Sequence, residues 1–489
     1  MAKWPGFCGG SGQSQSIIAS LARTVNLYVE EIPADDGAGK QLQKVLYPTP
    51  GFSPKWALSQ VGCRALSSIV PGQMFGVEGT KFLEFFSDYS SIERGTVAQN
   101  SNPATISYNG IPGQLFVTSG GNGYLYNLST HAFTQVLTGD ADMGAELDSY
   151  FIAFSIAIGQ ARLSNPNDGS TWDPLQKFVR STQPDPWRTM FVDGNRQLWF
   201  IGSVTGDVYY NTGVANNPFQ PIPGSVYRSG IAAPFARGLA GTNIVWLGQN
   251  DEGSGKVMAA RGYVPQPIST YAVETALAQY KRTGRIDDAE VMVYQDEGHT
   301  FVNFGFPTNG GTWTFDLEKA SWAERGMWNP VKGSYDIWAP RVHCEAFGKH
   351  FVGDRATGKI AQMDRAFATE FDGATGIRRL RVAPGITREH ARLPYDQIEL
   401  LIESGLGLPI GQGSDPLVML RMSTDGGHTW SNEFQAGAGK IGEFRRRVYW
   451  TQLGDAADAA IEISTSDPIP WRFLDVWINN DEFSSQGEA

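Results

Sequence analysis

From about residue 71 the chain reads as short apolar-rich runs broken by glycine-rich polar turns. Runs at 73–77 and 81–86 flank Glu78-Gly79, and runs at 114–118, 124–127 and 133–137 are separated by Gly120-Gly121-Asn122-Gly123 and by residues 129–131. Runs this short, rich in aromatic and β-branched residues, predict strands, and the glycines between them predict hairpins. The run 150–158 is apolar throughout, which predicts a strand covered on both faces. Further meanders lie within 196–210, 243–261, 300–325 and 343–363. Their recurrence, roughly every 40 to 55 residues, suits units of four short strands. Six or seven such units predict a β-propeller, whose radial repetition leaves only short, protected sheet edges. A single sandwich would have to absorb about 300 residues of meander, well beyond its usual size.

Two regions depart from this rhythm. Residues 270–280, TYAVETALAQY, place Val273, Ala276, Leu277 and Tyr280 on one helical face, with Ser269 as the expected N-cap and Gly284 as the stop. Beyond residue 363, GIRRLRV (376–382) and QIELLI (397–402) alternate polar and apolar residues and lead into an apolar strand beginning at 417 and strands expected at 444–453, 460–464 and 471–478. The expected class is all-β: an extended N-terminal arm (1–52), a propeller of six or seven blades (53–368) with one inserted helix, a C-terminal β-sandwich-like domain (369–480), and a flexible tail (481–489). The arm is expected either to remain simply extended or to pack on another part of the fold or on a neighbouring subunit.

Composition sharpens this. The 489 residues include 57 Gly, 27 Pro, 14 Trp, 17 Tyr and 27 Phe, a profile of tight turns joining aromatic strands. A formal charge of −11 disfavours a surface that grips a phosphate backbone, yet suits one past which DNA slides. Cys8, Cys63 and Cys344 are too few and too scattered for a disulfide framework or a zinc site, so a reducing compartment is expected. The first ten residues lack the apolar core of a signal peptide, and no apolar run is long enough to span a membrane.

The strongest catalytic-looking motif is Ser423-Thr424-Asp425-Gly426-Gly427-His428-Thr429-Trp430, an Asp-box (S-x-D-x-G-x-x-W) best known from sialidases. In it Ser423, Asp425, Gly427 and Trp430 stabilise a hairpin turn, and none of them need touch substrate. Residues 167–172, NDGSTW, form a degenerate second copy. No arginine triad, nucleophile elbow, phosphate loop or metal-ligand spacing accompanies them, so no catalytic, metal or cofactor residue is assigned. His343 and His350 are placed to meet across a hairpin. Arg445-Arg446-Arg447 is the densest basic run; it suits a solvated strand, a subunit contact or, less well, a phosphate track.

In this setting the chain resembles the tail hub proteins of short-tailed phages, the packaged-DNA stabilisation family. The resemblance rests on Asn26-Leu27-Tyr28-Val29-Glu30 with Tyr47-Pro48-Thr49-Pro50-Gly51, and on 267–280 with Glu297-Gly298-His299 and Phe306-Pro307. It continues through Thr312-Trp313-Thr314-Phe315-Asp316 and Trp322-Ala323-Glu324-Arg325. Asp425-Gly426-Gly427-His428-Thr429-Trp430 with Gly442-Glu443-Phe444 is its most specific part; Val29 departs from the proline expected there. The resemblance implies a virion protein assembled in the bacterial cytoplasm as a homo-oligomeric ring, expected to be a hexamer. Such a ring extends the portal-adaptor channel, helps retain packaged DNA and conducts it at ejection. Its partners are the adaptor ring, a tailspike or tail fibre, a needle or plug, and double-stranded DNA passing non-specifically. It implies no catalysis and no cofactor. Asn26, Tyr28 and Arg445–Arg447 are the candidate subunit contacts. The alternative, from the Asp-box alone, is a propeller-type glycan-binding or glycan-hydrolysing tail protein.

Overall fold

The computed structural model describes residues 2–17, 19–35, 40–58, 62–110, 113–181, 183–214, 217–249, 255–387 and 391–479; the tail expected at 481–489 lies outside them. Seven antiparallel blades follow one another at 63–96, 105–137, 143–179, 187–221, 230–267, 290–325 and 340–364. The hydrophobic cores lie between neighbouring blades, so each sheet is covered on both faces. Phe154 of the third blade packs with Phe200 of the fourth, and Trp187 stacks on Phe200 at 3.9 Å. That explains strands such as Gln114–Ser119 and Leu198–Gly202, in which every residue is buried. Gly120 and Gly121 both take positive φ (61° and 79°) at the hairpin joining Gln114–Ser119 to Asn122–Asn127, the geometry that a two-residue turn demands.

The seventh blade supplies only three of its own strands. Its fourth is β5 (Gly51–Ala57), which pairs antiparallel with Lys359–Asp364 and buries Phe52 and Trp56. The ring is therefore closed by chain from ahead of the first blade, which brings the seventh blade to four strands like the first.

The rest of the N-terminal segment belongs to the junction between propeller and sandwich. β1 (Ala2–Lys3) pairs with Phe473–Asn479. β3 (Leu27–Asp35) and β4 (Lys40–Pro48) form a hairpin on the same six-stranded sheet, with Leu46 opposite Phe473. β2 (Arg23–Val25) runs parallel to the outer strand of the sixth blade and antiparallel to Arg379–Val382 of the sandwich. It thereby joins the two into one ten-stranded sheet. On β3 the period of two divides the labour: Leu27 and Val29 enter the sandwich core, while Tyr28 enters the core between the sixth and seventh blades.

Two sequence expectations shift. The helix α1 runs Tyr271–Thr283 with Thr270, not Ser269, at the N-cap; the Ser269 hydroxyl is instead 2.9 Å from Glu274 Oε1. Its buried face carries Val273 and Leu277 as expected, with Ala276 and Tyr280 packed alongside. The strand expected at 444–453 is only Val448–Thr451. The Glu443 carboxylate accepts the Lys440 N–H at 2.9 Å, and the Glu443 and Arg446 N–H groups close successive turns onto Lys440 and Glu443 carbonyls. Arg445 and Arg446 consequently lie in the second of these turns and Arg447 directly before the strand, so the three do not alternate along it.

Candidate functional site

The Asp-box is spent on its own turn. Asp425 Oδ1 accepts the Thr429 N–H at 2.9 Å, Oδ2 accepts the Thr429 hydroxyl at 2.7 Å, and Ser423 Oγ accepts the Gly427 N–H at 2.8 Å. These bonds, led by the Thr429 backbone donor, hold the Asp425 carboxyl well below the ordinary aspartate range. Trp430 packs with Ile17, Leu21 and Tyr335, and Arg421 lies 5.6 Å over its ring. The second copy is built differently: Asp168 Oδ1 accepts the N–H and hydroxyl of Ser170, two residues on, and the Trp172 ring lies tilted 5.1 Å from Phe116. Both carboxylates accept hydrogen bonds within their own turns.

Asn26 and Tyr28 are not subunit contacts, because both are buried inside the chain. Asn26, in the left-handed region at φ 57°, donates from Nδ2 to the carbonyls of Gly326 and Arg378 (both 2.8 Å) and accepts the Gly326 N–H at Oδ1. It links β2 and β3 to the propeller and the sandwich at once. Tyr28 packs edge-on against His299 and Phe301, with Arg365 5.2 Å above its ring. Next to it, His299 bridges Asp316 and Glu30 (2.7 Å each), and Lys319 reaches the other Glu30 oxygen at 2.8 Å. Asp316 first, then Glu30, raises the His299 pKa above its ordinary value.

Arg445, Arg446 and Arg447 are exposed. Arg447 forks onto Glu399, and Arg446 Nε lies 3.4 Å from the Gly437 carbonyl. Around them Phe444 is 71% exposed, Ile441 61% and Tyr449 50%. The Gly442 N–H bonds the Gly405 carbonyl at 3.1 Å, holding this turn against a second loop that carries Ile410, 84% exposed. The result is a mixed basic and apolar face at one end of the sandwich.

His343 and His350 do meet: Nε2 and Nδ1 are 3.0 Å apart, with the rings stacked. Burial, then the neighbouring His350, pushes the His343 pKa down to about 3. Among the described residues no cluster of three His, Cys, Asp or Glu side chains could hold a metal ion. Along the propeller axis the inner strands enclose a cavity of about 370 Å³, lined by Thr105, Glu146, Met190, Phe191 and Arg237 among others.

Sequence reading missed a second arginine system. Arg379 and Arg381 read as the solvent face of an alternating strand, yet each is only 1% exposed. Arg381 donates to the carbonyls of Gly6 (2.7 Å), Phe7, Gly10 and Arg23 and to Thr24 Oγ1, holding the first 25 residues against the sandwich. Nothing in the alternation of GIRRLRV marks this, because the partners are backbone carbonyls distant in sequence.

Both halves of this architecture match known families. Residues 63–368 match the family model described as bacteriophage P22 Gp10, beta-propeller. The chain belongs to the bacteriophage P22 Gp10 family. Residues 378–476 match the family's second model, described as bacteriophage P22 Gp10, beta-sandwich, so the two matched regions are the two folds seen here. Members are structural tail proteins of short-tailed phages, which places this chain in the virion. Similar solved structures include a streptogramin B lyase (9% identity, 69% of this chain and 98% of that chain, TM-score 0.42). A catalytically inactive virginiamycin B lyase from Staphylococcus aureus is comparable (9% identity, 69% and 99%, TM-score 0.38). No curated protein matches.

Proposed function

We propose that this protein is the subunit of a homo-oligomeric ring, a hexamer, in the phage tail hub. The ring extends the portal-adaptor channel, helps retain packaged DNA, docks tailspike or fibre and the terminal needle, and conducts DNA at ejection. Family membership supports the tail assignment, and the carrying observation for assembly is the exposed face formed by Ile410, Ile441, Phe444, Tyr449 and Arg445–Arg447. Exposed large apolar side chains beside arginines suit protein–protein contact, and a chain of net charge −11 offers a complementary acidic partner in its own copies. In this ring DNA passes through a lumen between subunits. A net acidic lining keeps the sliding duplex from sticking.

The test is a charge reversal, Arg445→Glu with Arg446→Glu, combined with Phe444→Asp. These exposed positions carry little of the fold, so the variant remains folded but loses ring assembly in analytical ultracentrifugation. Unchanged assembly removes this face from the interface.

A further inference from the structure

Between the sandwich and the hairpin Met327–Asn329/Ser334–Asp336 lies a cavity of about 480 Å³ that the tail assignment leaves without a role. One wall is apolar, from Met327 and Trp328; the remainder is polar, with Glu370, Asp372, Arg378 and Gln412. The volume falls within the range of small-ligand pockets, about 300–1,000 Å³.

Glu370 makes the cavity unusual. It is 7% exposed, yet among the described residues its carboxyl group has neither a hydrogen-bond donor nor an ion-pair partner, and it lines the cavity. The other charged groups around it are committed. Asp372 accepts the N–H groups of Ala374 (2.9 Å) and Thr375 (2.8 Å) and the Thr375 hydroxyl. Arg378 is neutralised by Glu433 at 3.1 Å and lies 4.3 Å over the Trp328 ring. Arg379, fully buried behind the site, donates to the Ile377 carbonyl at 3.2 Å and attracts the Glu370 charge without contacting it. Burial first, offset by Arg379 and reinforced by Asp372, pushes the Glu370 pKa up to about 8. The Glu370 carboxyl group lines the cavity without an internal donor, so a donor bound there can reach it.

The matching ligand carries a donor-rich cation on a short apolar stem. An anion would meet Glu370 and Asp372, and among the described residues no third His, Cys, Asp or Glu joins these two carboxylates to hold a metal ion. A neutral ring that stacks on aromatics is disfavoured, because Arg378 covers one face of Trp328 and Tyr335 packs edge-on at 5.2 Å. We propose that this cavity binds an alkylammonium group, its stem along Met327 and Trp328 and its charge on Glu370. The group comes either from a free diamine or from the lysine side chain of a partner polypeptide.

Calorimetric titration of the full-length protein with 1,4-diaminobutane, with N-acetyl-lysine methylamide and with 1-butanol as neutral control tests this. Binding of either amine, but not of butanol, is expected, and the responding amine identifies the source. At pH 7 the cation draws Glu370 into its ionised form, so binding releases a proton and the measured heat changes with buffer ionisation enthalpy. Glu370→Gln is expected to weaken binding by at least about tenfold. Trp328→Ala, a change on the surface hairpin, weakens it as well and provides the test should Glu370→Gln unfold. Absence of amine binding, equal binding of butanol, or undiminished binding by both folded variants overturns the proposal.

Discussion

At the residue scale, this protein relies on buried charge where sequence patterning shows only alternation. Arg381 satisfies carbonyls from four residues of the N-terminal segment, so Arg381→Leu leaves several buried acceptors without donors. At about 1–3 kcal/mol for a buried unsatisfied group, a loss of about 3 kcal/mol or more is expected. It should appear as a lower thermal midpoint with early proteolysis within residues 1–25; unchanged protection there would show that Arg381 does not hold the segment. Glu370 gives a pH-dependent counterpart. Its folded pKa, about 8, lies above the unfolded glutamate value, so its contribution is fully present below about pH 4.3 and is lost as pH rises toward 8. Glu370→Gln should flatten that part of the stability–pH curve and make the protein relatively more stable at pH 8–9; denaturant unfolding at pH 5 and pH 9 measures it. The Asp-box was legible to the residue, since Ser423, Asp425 and Gly427 form the turn expected of them. The buried arginines were not, because an arginine bonded to distant carbonyls has the same local pattern as one in solvent.

At the element scale, blades were readable because each hairpin is local: apolar runs, turn glycines and spacing all lie within one unit. The units starting at 63, 105, 143 and 187 keep a near-constant spacing, and the longer interval before 290 contains α1. What could not be read was pairing between distant parts of the chain. β5 completes a blade some 300 residues downstream, and β2 joins two sheets through partners at 324 and 380–382. The start of β3 explains the misassigned Asn26 and Tyr28: Leu27 and Val29 enter the sandwich core and Tyr28 the propeller core, so no solvent side remains there, and Asn26 just ahead of the strand is buried too. Its attachment to the sixth blade depends on His299. Because Asp316 and Glu30 raise the His299 pKa, this contribution is fully present below about pH 6.5 and is lost as pH rises through the raised folded value. Amide hydrogen exchange in 27–33 should accelerate as pH increases across that window, after correction for intrinsic exchange, and His299→Gln should abolish the extra acceleration. Blade packing itself is expected to be unforgiving: Trp187→Ala, which removes the stack on Phe200, should cost about 3–5 kcal/mol in chemical denaturation.

At the scale of the whole molecule, the β1–β5 segment makes propeller and sandwich one body. It pairs with the sandwich at both sheets, with the sixth blade and with the seventh, so neither domain is complete without it. A body joined in this way suits the proposed ring subunit, which would hold a channel against pressure from packaged DNA. The basic and apolar face around Phe444 then remains for contact with a neighbour. Native mass spectrometry of the purified chain, alone and mixed with its portal and adaptor rings, tests this most directly. The prediction is a closed homo-oligomer, six copies on the adaptor ring; a chain that remains monomeric in every mixture would contradict it.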